Sequence, residues 1–180
     1  VPPALARFLD GAATYGPLFR EAFGTSAITR ERIAMALASY ERTLVPDQSP
    51  FDLGTMTNRQ QLGFQVFQDR GLCEVCHQSA NRLFTDGARR TIFLPEHRRV
   101  VKTPTLRNVG LRRRYMSSGE FASLDEVLAH YESVGFVSFH SPLERLALKD
   151  FLANALTDPR AGRREPPFDR PLLGSEIRPP

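Results

Sequence analysis

The chain has 180 residues, a length that suits about one domain with a buried core of its own. Twenty-two of its 24 basic residues are arginine, and the formal net charge of +4 corresponds to a pI near 9.5. No nucleic-acid-binding motif accompanies this charge, and no apolar run approaches the length of a membrane span, so the composition argues against both classes of protein.

Helix-capping residues mark the first two predicted helices. Thr29 can cap a helix that runs to about Leu44, because apolar side chains recur at helical spacing after it and Pro46 stops it. The segment Thr57–Gln60 forms a capping box for a second helix, which continues up to Gly71. The second helix therefore leads directly into the residues that carry the chemistry.

Those residues are the pentapeptide Cys73-Glu74-Val75-Cys76-His77, which holds both cysteines of the chain. The C-x-x-C-H spacing is that of c-type haem attachment, in which two thiols bond to one porphyrin and the adjacent imidazole ligates the iron. We therefore predict one covalent haem c on Cys73 and Cys76, with His77 as the proximal iron ligand. Because such attachment is extracytoplasmic and no signal peptide opens the chain, we expect a processed or truncated chain from a bacterial periplasm.

Two other uses of paired cysteines have to be compared with haem attachment. A thioredoxin-like redox pair and half of a zinc site also contain C-x-x-C. A structural zinc ion needs four Cys or His ligands. Outside the pentapeptide only His97, His130 and His140 remain, with no second paired cluster, so the sequence favours haem.

A long segment, residues 78–122, follows with weak periodicity and many turn-forming residues, and no strand is predicted in it. We expect this segment to wrap the haem and present a distal ligand. Two capped helices come after it. One is opened by Ser123 and Glu126 and ends near Gly135, and the other is opened by the Ser141–Glu144 box.

The predicted fold class is all-α and cytochrome c-like, with about four helices and long haem-wrapping loops. The predicted domains are a strap or linker at 1–14, a mono-haem cytochrome domain at 15–156 and an extended carboxy-terminal tail at 157–180.

The iron also needs a sixth ligand or a deliberate vacancy. A thioether raises the reduction potential and suits electron transfer, whereas an open position suits peroxide or oxygen chemistry. Met116 is the only methionine after the pentapeptide and is the preferred axial ligand. The alternative is that Met116 packs as a core thioether under a tight turn at 117–119. The fallback ligands are His130, Tyr115 and Tyr131, with His97 and His140 less favoured.

The arginine runs allow two interpretations. They are Arg89-Arg90, Arg98-Arg99 and Arg112-Arg113-Arg114. The simpler interpretation is a solvated basic face. The alternative is that guanidinium groups near the haem edge pair with its propionates or steer an acidic electron partner.

Five short stretches form a recognisable set. They read ASYERTL at 38–44, SPFD at 49–52, FTDG at 84–87, KTPTLRNV at 102–109, and a longer stretch at 115–131 that contains YM, FASLDEV and HY. Together they resemble the carboxy-terminal haem domain of the bacterial di-haem cytochrome c peroxidases and their MauG-like relatives, over about residues 15–156. The resemblance implies an electron-transfer haem, usually six-coordinate, that receives electrons from a small soluble donor and passes them to a peroxide-reducing haem.

The resemblance also implies roles for single residues. Met116 occupies a Tyr-Met turn proposed to furnish the axial ligand in one branch of the family, although Ser117 stands where many relatives have histidine. Other branches place the ligand near the position of Val134-Gly135, which offers no ligating side chain here. Arg107 is expected to hydrogen-bond a haem propionate or to fix its loop. Backbone carbonyls at 103–105 resemble half of an interdomain calcium site.

Only one C-x-x-C-H occurs, and no stretch stands in for the family's amino-terminal peroxidatic domain. We therefore expect half of such an enzyme or a one-haem descendant, with electron transfer as its function. One alternative is hydrogen-peroxide reduction at an open iron, with Arg113, Arg114 or His130 as distal groups. Another is a haem subunit of a larger redox complex. The expected partners are an acidic redox protein and an amino-terminal haem domain or other subunits.

Overall fold

The computed structural model describes residues 3–4, 15–93 and 98–170. The chain divides into two compact units, Val1–Val45 with Pro167–Pro180, and Pro46–Pro166. These units are a different division from the predicted domains, so the domain boundaries at residues 14 and 156 stay predictions.

The described part of the first unit contains two helices, α1 (Tyr15–Phe23) and α2 (Arg30–Glu41). The hydroxyl of Thr29 accepts a hydrogen bond from the Arg32 backbone N–H, as the predicted cap requires. Helix α2 ends at Glu41 rather than near Leu44, because the Thr43 N–H turns back to the Tyr40 carbonyl.

The described second unit contains five α-helices and one small sheet. The helices are α3 (Pro50–Leu53), α4 (Asn58–Gln68), α5 (Leu124–Ser133), α6 (Pro142–Asp150) and α7 (Pro159–Arg163). A π-helical turn, Phe151–Ala155, continues α6 toward the end of the predicted last helix. Helices α1, α3 and α7 come in addition to the four that the capping residues predict.

The capping residues act as predicted, with one change in detail. Thr57 and Gln60 form a reciprocal capping box at the start of α4. At α5 and α6 the serine accepts from the N–H three residues on, as a cap should. The returning carboxylates reach one residue further back, so Glu126 accepts from the Ala122 N–H and Glu144 from the His140 N–H.

The prediction that residues 78–122 contain no strand is wrong. Strand β1 (Arg89–Phe93) pairs antiparallel with β2 (Arg98–Lys102), and Thr91 lies opposite Val100 in the register. Thr91 and Val100 are exposed, as are the arginines of β1. Neither strand sequence, RRTIF or RRVVK, alternates apolar and polar residues, so the sequence contains no pattern that would predict a strand.

The core of the second unit is built on a phenylalanine cluster. Phe67 of α4, Phe84 of the loop before β1, and Phe151 are completely buried. Their ring centroids lie 5.4 to 6.0 Å apart. Phe84 is therefore anchored between two helices, although it belongs to a loop. The described chain is mostly helical, in agreement with the predicted class, while the cytochrome c-like fold itself stays a prediction.

Where the structure describes the chain, it contains no helix both long and apolar enough to span a membrane.

Candidate functional site

The C-x-x-C-H pentapeptide follows α4 after a turn at residues 69–72. The Gly71 N–H bonds to the Val66 carbonyl at 2.7 Å, and Leu72 takes a left-handed conformation with φ of 47°. A Cβ on Gly71 would lie 2.8 Å from the Val66 carbonyl oxygen and 3.0 Å from Cys73 Sγ, so the turn requires glycine. A short 3₁₀ turn, Cys73–Val75, then places the His77 N–H 2.8 Å from the Cys73 carbonyl.

A cavity of about 550 Å³ opens beside this turn, within the second unit. Cys73, Cys76 and His77 all line it, and so does Met116, which lies 39 residues further along the chain. The structure thus brings together four of the five residues that the sequence predicts for the site. The fifth, Arg107, does not line the cavity.

Both cysteines are half-buried and free of disulfide bonds. Cys73 Sγ donates a hydrogen bond to the Gly71 carbonyl at 3.2 Å. Burial raises the pKa of the Cys73 thiol to about 12, so this position favours a sulfur without charge. A thioether is such a sulfur.

The imidazole of His77 interacts with the backbone of Phe84 and of Pro104. Its Nδ1 lies 3.0 Å from the Phe84 carbonyl oxygen, which can only accept a hydrogen bond. Burial lowers the pKa of His77, which favours the neutral ring. A neutral ring that donates from Nδ1 leaves the lone pair of Nε2 for a metal, and this is the usual arrangement of a ligating histidine.

Met116 lies in a tight turn that projects from a pair of bridged residues. The Tyr115 N–H bonds to the Phe121 carbonyl at 2.9 Å, and the two residues form an isolated antiparallel bridge. Within the turn Met116 has φ of 64°, in the left-handed region that is unusual for a residue with a side chain. Such conformations persist where the surrounding structure imposes them, and they are frequent at functional sites.

The fallback ligands are divided by the structure. His130 and Tyr131 line the cavity. Tyr115 is buried outside its lining, where its hydroxyl donates to the Val109 carbonyl at 3.3 Å. His140 does not line the cavity, and His97 lies outside the described residues.

Two arginines of the hairpin, Arg89 and Arg90, also line the cavity. Arg90 Nε lies 3.2 Å from an Asp86 carboxylate oxygen. The hydrogen bond from Arg90 is the main reason why the pKa of Asp86 falls to about 2. In the sequence, Arg89-Arg90 is only one of three arginine runs. Nothing local indicates that it lies at the cavity, because the folding of residues 89–102 into a hairpin brings it there.

Arg107 is buried elsewhere in the second unit. Its guanidinium donates to both carboxylate oxygens of Asp52, at 2.8 and 2.6 Å. These bonds join Arg107 to α3, and both of its expected roles stay predictions. The Thr103 carbonyl, one of those compared with a calcium half-site, accepts from the Thr85 hydroxyl at 2.6 Å. Calcium stays a prediction.

The residues around the cavity fit a haem. Its volume falls in the range of cofactor pockets, and much of its lining is apolar, as a porphyrin requires. Its polar groups include the two sulfurs, the His77 imidazole, the Met116 thioether and the arginines, which are the groups that haem attachment, iron ligation and propionate pairing would use, together with His130 and Tyr131. Four apolar lining residues are exposed here and would be covered by such a group: Leu72, Val75, Val134 and Phe136.

The comparison with known proteins agrees with this chemistry. Residues 2–61 match the model of the family described as "Di-haem cytochrome c peroxidase". Methylamine utilization protein MauG of Methylophilus methylotrophus is 35% identical over 142 residues, which is 66% of this chain and 42% of that protein. The MauG protein of Methylorubrum extorquens is 32% identical over 186 residues, covering 85% of this chain and 52% of the relative.

A cytochrome c551 peroxidase of Nitrosomonas europaea is 26% identical over 182 residues, covering 88% of this chain and 52% of that enzyme. The chain thus spans about half the length of these curated relatives. The matches to relatives extend well beyond residues 2–61, so the similarity includes the cavity and its pentapeptide as well as the amino-terminal helices. The chain belongs to the di-haem cytochrome c peroxidase and MauG-like family of haem redox proteins.

Proposed function

We propose that this chain is an electron-transfer domain that carries one haem c. Cys73 and Cys76 bind the porphyrin through thioethers, His77 ligates the iron from the proximal side, and Met116 ligates it from the opposite side. The observation that carries the proposal is that these four side chains line one cavity, although Met116 is distant from the others in sequence.

When bound, the haem supplies reversible one-electron chemistry, and the protein sets its potential and access. A thioether ligand favours the reduced iron and raises the reduction potential. The Phe84 carbonyl fixes the orientation of His77. The apolar lining keeps water away from the iron, and the exposed Arg89 and Arg90 put positive charge beside the haem.

This assignment corresponds to the carboxy-terminal haem domain of the family, and an amino-terminal haem domain would be its partner within such a protein. An acidic redox protein fits the arginine-rich hairpin as electron donor, since complementary charge accelerates association. A bacterial periplasm fits the proposed thioether chemistry.

Hydrogen-peroxide reduction is the second candidate, and one observation favours it. His130 lines the cavity and is in ring contact with Phe121 and Tyr131, at 5.2 and 5.7 Å between centroids. A histidine in this position is a candidate general base if the iron lacks a sixth protein ligand. Arg113 and Arg114, the other expected distal groups, are exposed and do not line the cavity.

The absorption spectrum of the haem-loaded protein distinguishes the two candidates. We expect a low-spin ferric spectrum with a near-infrared sulfur-to-iron band, and an intact mass that corresponds to one haem per chain. Met116→Ala should keep the haem attached, remove the near-infrared band and lower the reduction potential, because a thioether stabilises ferrous iron. Met35→Ala is the matched control, since Met35 is an exposed methionine of α2 and should leave the spectrum unchanged.

A colourless protein, or free thiols in the purified chain, would refute haem attachment. A wild-type ferric spectrum that is high-spin and changes with peroxide would favour the peroxidase. An unchanged near-infrared band in Met116→Ala would exclude Met116 as the ligand. If His130→Ala loses the band while Met116→Ala keeps it, the loss reflects disruption of the site and not direct ligation by Met116.

A further inference from the structure

The loop between the pentapeptide and β1 carries the carbonyl that orients His77, and its backbone is strained. Arg82 and Phe84 both have positive φ values, 58° and 54°. Neither residue is glycine, so each conformation costs free energy unless the surroundings hold it in place. Since the Phe84 carbonyl lies in this loop, the position of the His77 hydrogen bond depends on what holds residues 82–84.

Arg107 contacts this loop at two points. Its Nε donates to the Arg82 carbonyl at 2.6 Å, and its guanidinium carbon lies 5.4 Å from the centre of the Phe84 ring. One buried cation thus contacts both residues that have positive φ. The side chain of Arg107 is only 6% exposed, so these contacts are little weakened by water.

Arg107 is itself fixed by a buried carboxylate. Two parallel bonds join its guanidinium to Asp52, whose side chain is 5% exposed, and a further bond of 3.0 Å joins it to the Ser49 hydroxyl. Asp52 is held in turn by the capping box of α3, where its carboxylate accepts from the Ser49 N–H at 3.1 Å. The restraint therefore runs from α3 through Asp52 and Arg107 to the loop.

We propose that the Arg107–Asp52 pair positions the proximal histidine by holding the Phe84 carbonyl against His77 Nδ1. The inference rests on the proposed function, in which His77 ligates the iron, and it gives Arg107 a role different from propionate binding. A hydrogen bond at Nδ1 makes the imidazole a stronger donor to the metal, which stabilises ferric iron relative to ferrous iron. Loosening the loop weakens that bond and favours the reduced protein.

The test compares Arg107→Gln with Arg82→Gln in the haem-loaded protein. Arg82 is the matched control because its side chain also contacts Asp52, at 3.2 Å, but is 61% exposed, while the atom that Arg107 holds is its backbone carbonyl. At a fixed ambient potential, Arg107→Gln should increase the ratio of reduced to oxidised haem by on the order of tenfold, the scale of second-shell effects on metal sites. Arg82→Gln should leave that ratio within about twofold of the wild type.

Exchange of the His77 Nδ1 proton with solvent gives an independent readout in the diamagnetic ferrous protein. It should be faster in Arg107→Gln than in the wild type and unchanged in Arg82→Gln. Arg107→Gln could instead lower the unfolding midpoint and leave both the ratio of reduced to oxidised haem and the proton exchange unchanged. That result would overturn the proposal, because the Arg107–Asp52 pair would then act on stability alone.

Arg107→Lys decides the question if Arg107→Gln does not fold. Lysine keeps the charge beside Asp52 but lacks the planar fork that reaches Asp52 and the Arg82 carbonyl together, so the haem ratio should shift in the same direction by a smaller factor. Equal ratios in Arg107→Lys and the wild type would overturn the proposal. A wild-type protein with no c-type haem spectrum would overturn the proposed function and this inference with it, whereas a normal wild-type spectrum with unresponsive Arg107 variants would overturn this inference alone.

Discussion

The Asp52 carboxylate shows how a charge is kept inside this protein. Burial opposes its ionisation and is the largest single influence on it, but the hydrogen bonds from Arg107 and Ser49 and the charge of Arg107 together outweigh burial. The pKa of Asp52 is consequently lowered from its ordinary value of 3.8. A carboxyl group that binds its proton less readily when folded stabilises the fold wherever it is ionised.

We expect this pair to make stability fall in acid. The contribution of Asp52 is fully present above the unfolded-state pKa, near 3.8, and is lost as the pH falls through the lower folded-state pKa. Asp52→Asn should lower the free energy of unfolding at pH 7 by about 3 kcal/mol, because it leaves the buried Arg107 charge without its partner. Denaturant titrations between neutral and acid pH should show a shallower loss of stability for the variant, and parallel curves for the two proteins would contradict the prediction.

At the scale of elements, α4 crosses α6 closely upstream of the pentapeptide. Gly63 is buried at this crossing, and a Cβ added there would lie 2.0 Å from the Ala147 carbonyl oxygen. The pair is also joined by Arg59 and Asp150, at 2.7 Å. Any side chain at residue 63 must push the two helices apart, since the atom it meets belongs to the backbone.

Gly63→Ala should therefore destabilise the protein by about 3 kcal/mol, at the upper end of the cost of overpacking. Gly162→Ala in α7 is the control, because its Cβ would meet only Leu111 Cδ2 at 3.7 Å. That substitution should raise the free energy of unfolding by up to about 1 kcal/mol through helix propensity. Chemical denaturation measures both, and equal midpoints for the two variants would show that α4 and α6 do not approach as closely as described.

The elements also show which patterns in the sequence predict structure. Thr57, Ser123 and Ser141 each predict a helix start, because a cap is satisfied by backbone groups three residues away and needs no distant partner. No comparable pattern of neighbouring residues predicts the hairpin of β1 and β2. Its pairing joins Arg89 to Lys102 across the sheet, and its exposed residues follow no apolar period.

At the scale of the whole molecule, a haem bound in the cavity would complete the core of the second unit. The cavity of about 550 Å³ leaves apolar side chains such as Leu72 and Phe136 exposed beside it. Water gains access to these surfaces when the group is absent, and packing them against an attached porphyrin removes apolar area from water, which stabilises the fold.

We expect the doubly substituted Cys73→Ser/Cys76→Ser protein to lack covalent haem and to be less stable than the loaded protein by about 4 kcal/mol, the scale of burying the apolar lining of such a cavity. It should also bind an apolar dye that fluoresces on exposed hydrophobic surface. Met116→Ala is the control, since it should keep the attached haem and most of the stability. Equal unfolding midpoints for the haem-free and loaded proteins would contradict the view that haem forms part of the core.

The sequence by itself predicted the chemistry of attachment and determined the starts of four helices, because both depend on residues close together in the chain. Cys73, Cys76 and His77 predict a haem c by their spacing alone, and the helix caps are satisfied within one turn. The tertiary structure decided which distant groups join them. It brings Met116, His130 and the Arg89–Arg90 pair to the same cavity. It places Arg107 outside the cavity lining, in a buried ion pair with Asp52. Those choices depend on long-range packing and on the strained loop at Phe84, whose conformation no local sequence pattern specifies.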